Sequence, residues 1–84
     1  MIVDVLEISE DDKKNIRDVV GAAKILRSVI GRQTRGTYYF AAIEKLGECV
    51  ASAVADILIK YRFSELQIER LTEEIKKDVV TNDE

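Results

Sequence analysis

Apolar residues recur along this chain at three- and four-residue spacing, the period of an amphipathic helix, in three successive stretches. In the first, Ile16, Val19, Val20, Ala23, Leu26 and Ile30 form a stripe that Ala22, Ile25 and Val29 widen. Ser9 stands where an N-cap belongs, and Glu10, Asp11 and Asp12 follow in the first turn, where the helix dipole favours carboxylates. Lys24 and Arg27 fall towards the other end, and Gly31 offers a C-cap. These signals predict a helix over 9–30.

The second stretch has a different balance. Its polar positions Glu44, Glu48, Ser52, Asp56 and Lys60 recur every fourth residue, with Lys45 beside them, and make one narrow ribbon. Most of the remaining circumference is apolar or small, from Phe40 through Ile43, Leu46, Val50 and Val54 to Ile59. A helix of that kind sits at the centre of an assembly, covered on several sides. Thr37 is the expected cap, the helix should run to about Lys60, and Gly47, Ala51 and Ala55 form a small-residue row for a close neighbour. Two flanking helices of one short chain leave part of that circumference bare, so the pattern predicts self-association.

The third stretch opens with Ser64-Glu65-Leu66-Gln67, a capping box, with Phe63 and Ile68 placed as a hydrophobic staple. Ile68, Leu71, Ile75 and Val79 supply its apolar stripe, and the acidic tail 81–84 should fray. The opening MIVDVLEI alternates enough for a short strand or an extended arm laid on a neighbouring subunit. The predicted fold is all-α: a single domain over 1–80, a long helical hairpin plus a C-terminal helix, assembled into an oligomer.

Composition narrows the chemistry. The chain has 84 residues, 13 basic and 16 acidic, with no proline, no histidine and one cysteine. A structural zinc site needs about four Cys or His ligands, so no metal site or other cofactor is expected. Cys49 has no histidine to activate it, and the Glu44–Glu48 pair reads as solvated ribbon. The sequence therefore predicts a protein that is not an enzyme. A net charge of −3 argues against general nucleic-acid binding. The absence of a membrane-length apolar run and of a signal-type N-terminus predicts a cytoplasmic protein.

One charge feature stands out. Between Asp18 and Glu44 there is no carboxylate, and Lys24, Arg27, Arg32 and Arg35 all lie in that gap, which also holds Tyr38 and Tyr39. Arg32 and Arg35 are planar donors suited to phosphate or carboxylate. The start of the second helix brings free N–H groups, Thr34 and Thr37 add hydroxyls, and the tyrosine rings can stack on a base. The candidate ligand-binding set is Lys24, Arg27, Arg32, Arg35, Thr37, Tyr38 and Tyr39. The same residues have a purely structural reading, with Lys24 and Arg27 complementing a helix end, both arginines solvated, and the tyrosines acting as packing anchors.

The hairpin resembles small phage proteins that sequester cyclic nucleotide signals of bacterial defence, the anti-CBASS sponge type. The residues that carry the resemblance are ISEDDKKNIRDVVGAAKILRSVI, an arginine-bearing turn, and AAIEKLGECVASA, within which Ala42, Ile43, Lys45, Leu46 and Glu48 give the pattern A-I-x-K-L-x-E. It covers roughly residues 8 to 55. It implies an all-α oligomer that binds a ligand between protomers and catalyses nothing. The chain departs from the group in having no tyrosine ahead of its first helix, so ligand contacts would fall to Tyr38, Tyr39 and the arginines. Two functions follow as expectations: sequestration of a phosphate-bearing small molecule, such as a nucleotide, by a homo-oligomer, or docking of an apolar helical face on a larger target protein.

Overall fold

A computed structural model describes residues 2–33 and 35–81. Thr34 and the tail 82–84, both invoked above, lie outside the described residues. Three helices follow a short 3-10 turn at Ile2–Val5: α1 (Glu10–Gln33), α2 (Gly36–Leu58) and α3 (Glu65–Thr81), with no strand among the described residues. The all-helical prediction holds.

The strand or arm expected at the N-terminus is instead that 3-10 turn, laid on its own chain. Val3 and Ile8 enter the core, and Arg17 of α1 binds the Asp4 carboxylate. The alternation is real, but the two buried residues are five apart, a spacing that a folded-back turn satisfies and a strand does not.

Ser9 caps α1 as predicted, accepting from the Asp12 N–H at 3.1 Å. The far end differs: α1 runs through Gly31 to Gln33. The chain reverses at Gly36, whose φ of +67° is a left-handed conformation that glycine adopts without strain. The Gly31 carbonyl accepts from Arg35 Nη1 at 2.7 Å, so an arginine from the turn satisfies part of the helix end. Thr37 does not cap α2. It lies inside the first turn, the N-cap position belongs to Arg35 without a side-chain capping bond, and the helix stops at Leu58 rather than Lys60.

The capping box on α3 forms in both directions. Gln67 N–H donates to Ser64 Oγ at 3.1 Å, and Ser64 N–H donates to Gln67 Oε1 at 2.8 Å. Phe63 and Ile68, the staple pair, both pack against the core. Gly47 of α2 faces α3 so closely that a Cβ there would come 2.5 Å from Val80 Cγ2 and 3.0 Å from Lys76 Cγ. At Gly47, the first member of the small-residue row, a neighbouring helix does approach closely.

The core is not spread evenly. Ile16, Val20 and Ala23 of α1, Val50, Val54 and Leu58 of α2, and Leu71, Ile75 and Val79 of α3 are buried together with Val3 and Ile8. From Lys24 to Ala42 no described residue is buried. The hairpin therefore has a packed base, where all three helices meet, and a projecting tip. The dimensions agree: 41 × 22 × 18 Å, with a radius of gyration of 13.3 Å against about 12 Å expected for this length.

Candidate functional site

The base holds one polar cluster. Asp12 is 6% exposed, and its carboxylate takes Lys60 Nζ at 2.9 Å, the Ser9 hydroxyl at 3.1 Å and the Tyr61 hydroxyl. Tyr61 Oη in turn accepts the Ser9 N–H at 3.0 Å. These bonds join the start of α1 to the segment after α2. The Tyr61 hydrogen bond, then the Lys60 ammonium and the Ser9 hydroxyl, hold the Asp12 carboxyl below the usual carboxylate range against the opposing effect of burial. Arg17 does the same for Asp4.

The sign of the pH effect follows. A carboxylate whose folded pKa is depressed adds stability above its unfolded pKa, and that contribution disappears as pH falls through the folded value. Thermal stability should fall progressively as pH drops from about 5 to below 3. Asp12→Asn should show a smaller drop over that window, whereas Glu44→Gln on the solvent ribbon should follow the wild type. Parallel melting curves for the three proteins check this. Equal drops for wild type and Asp12→Asn would remove Asp12 from the account.

At the tip, the predicted ligand-binding residues are arranged less convergently than their spacing suggests. Lys24 Nζ is 2.9 Å from Asp78 Oδ2 and so ties α1 to α3. Arg35 folds back on Gly31. Arg27 is half-buried on the inner side of α1. The Tyr39 ring lies against α1 at Gly31 and stacks edge-on with Phe40 at 5.4 Å. Arg32, Thr37 and Tyr38 are exposed, Tyr38 to 80%. The basic turn keeps exposed cations at Arg32 and Arg35, while Asp78 answers Lys24, and none of the seven lines either of the two depressions described below.

The apolar surface is more informative. α3 covers one side of the α1–α2 pair, and no element among the described residues covers the other. An open apolar groove of about 330 Å³ runs between Val19, Ala22 and Leu26 of α1 and Leu46, Cys49 and Ala53 of α2. Towards the tip, Ile25 and Phe40 are 70% and 71% exposed, and Val29 is also exposed. A larger depression, about 590 Å³, lies beside Leu71, Glu73 and Glu74 of α3, and no described residue of the basic turn lines it.

The sequence puts Val19 and Leu26 on the apolar stripe of α1 and Leu46 on the apolar circumference of α2, part of which it expects two neighbours to leave bare, and the groove lies there. The polar ribbon from Glu44 to Lys60 is exposed as predicted. No group of His, Cys, Asp or Glu among the described residues is placed to hold a metal ion, and none of their helices is long and apolar enough to cross a membrane. No protein family, curated protein or solved structure matches the chain.

Proposed function

We propose that this chain is a non-enzymatic helical binding module that associates with another protein surface through the uncovered side of its α1–α2 hairpin. One observation carries the proposal: the apolar strip along Val19, Leu26, Leu46 and Ala53 lacks cover on a domain that is already packed at its base. Contiguous exposed apolar surface of this kind marks association sites in folded proteins. A photo-reactive residue placed at Leu46, in cells producing the full chain, should give covalent protein adducts. The same residue at Ser52, on the solvent ribbon, should give none. Absence of adducts at 46, or equal labelling at both positions, would overturn the reading.

Binding of a phosphate-bearing small molecule is the second reading. It draws on the uncapped start of α2 and on exposed Arg32 and Tyr38. Within one chain it lacks convergence, because Lys24 is engaged by Asp78 and Arg35 by Gly31. A built anion site would need the tips of two copies brought together.

A further inference from the structure

We infer that the surface covering this groove is a second copy of the chain, laid tip to base, so that the α1–α2 pairs of both copies stack as two layers of a four-helix bundle about a two-fold axis near Ala22 and Cys49. The inference rests on the association reading above and names its partner.

Charge decides the orientation. Residues 19–43 carry four cations and no carboxylate, whereas residues 4–18 at the base carry six carboxylates and three cations. A tip-to-tip pairing would bring the exposed Arg32 and Arg35 guanidiniums of both copies together, with Lys24 already answered by Asp78. Reversing one copy sets each cationic tip beside the acidic base of the other. Such complementarity fixes register and disfavours the wrong arrangement.

The register points the same way. Ala22 and Cys49 are small residues midway along the uncovered sides of α1 and α2, where two copies can approach closely. About that axis, Arg32 of one copy falls opposite Asp11 of the other, at nearly equal distances either side of Ala22. Both side chains are exposed. The remaining base charges are largely spent internally, Lys60 on Asp12 and Lys14 on Asp18.

The face is also large enough. The 24-residue α1 is about 36 Å long at ~1.5 Å per residue, and with a width near 20 Å the hairpin offers on the order of 700 Å² per copy, close to the ~800 Å² of a standard interface. Leu26, Leu46, Val19 and Val29 supply the projecting side chains, and Ala22, Cys49 and Ala53 supply the gaps, the alternation that layered helices need to interdigitate.

Sedimentation velocity of the purified full chain across the micromolar range, with cross-linking by a short bismaleimide, tests this. The expected result is a reversible dimer that cross-links through Cys49, the chain's only thiol. In a Cys49→Ala background, Ala22→Cys should also cross-link to itself and Ser52→Cys should not. Arg32→Glu should raise the dimer dissociation constant about tenfold, and Asp11→Arg in the same chain should restore it. A dimer that cross-links at neither 49 nor 22 would overturn the tip-to-base arrangement, leave association intact and return the tip-to-tip anion site to first place. A monomer throughout would overturn the second copy as partner. Adducts at position 46 with a different protein would then still support the association reading.

Discussion

Leu58→Ala should destabilise the domain by about 2–5 kcal/mol, while Leu46→Ala, at the open groove, should cost about 1 kcal/mol or less. Leu58 is 1% exposed and lies where the N-terminal turn and all three helices converge, so deleting its methyl groups leaves a cavity bounded on every side. Leu46 is half-buried beside open groove, and solvent can fill the space it vacates. A domain of this length is stable by roughly 4–13 kcal/mol, so the first substitution removes a large part of the whole. Each kcal/mol lowers the melting temperature by roughly 4–8 °C at this size, and urea or thermal titrations would show the difference. Near-equal costs would mean that the base and the groove are equally packed, against the asymmetry described above.

Gly47→Ala should also destabilise, by about 1–2 kcal/mol net. The added methyl would sit 2.5 Å from Val80 Cγ2, well inside van der Waals contact, and Lys76 Cγ lies on the other flank at 3.0 Å. Overpacking of this kind costs about 1–3 kcal/mol. Alanine's better helix propensity returns up to about 1 kcal/mol. The lysine stem can swing away, but Val80 is a branched side chain on α3 whose movement drags the α2–α3 contact. Val80→Ala in the same chain should recover much of the loss, giving a coupling that a double-mutant cycle resolves. Gly21→Ala provides the contrast. Nothing lies within 4 Å of a Cβ there, so the same change should stabilise by about 0.8–1 kcal/mol. Destabilisation at both glycines, or at neither, would contradict the helix packing described here.

What could be read from the sequence was local. The Ser64–Gln67 box, the Ser9 cap, the polar ribbon of α2 and the closeness signalled by Gly47 depend on residues within one helix, where spacing determines geometry. The end of α1 was misread because a glycine permits a stop without compelling one. Gly31 continues the helix, and the left-handed turn falls on Gly36, where the chain has to reverse. The Asp12–Tyr61 and Lys24–Asp78 pairs could not be read at all. Their partners are 49 and 54 positions apart, and Asp12 had a sufficient local explanation as a first-turn acid. The candidate site was legible as a charge pattern but not as a shape. Linear proximity of Lys24, Arg27, Arg32 and Arg35 says nothing about divergence around a helical hairpin.

The division between packed base and bare tip bears on how this protein can change over generations. With no described residue buried from Lys24 to Ala42, substitutions in that stretch leave the packed core untouched. Apart from Lys24, Arg35 and Gly36, which hold the turn and its tie to α3, selection can rework the projecting end with little cost to folding, whereas drift at Ile16, Val54 or Leu58 is purged. Sequences descended from a common ancestor would keep the base recognisable while their tips diverged beyond alignment.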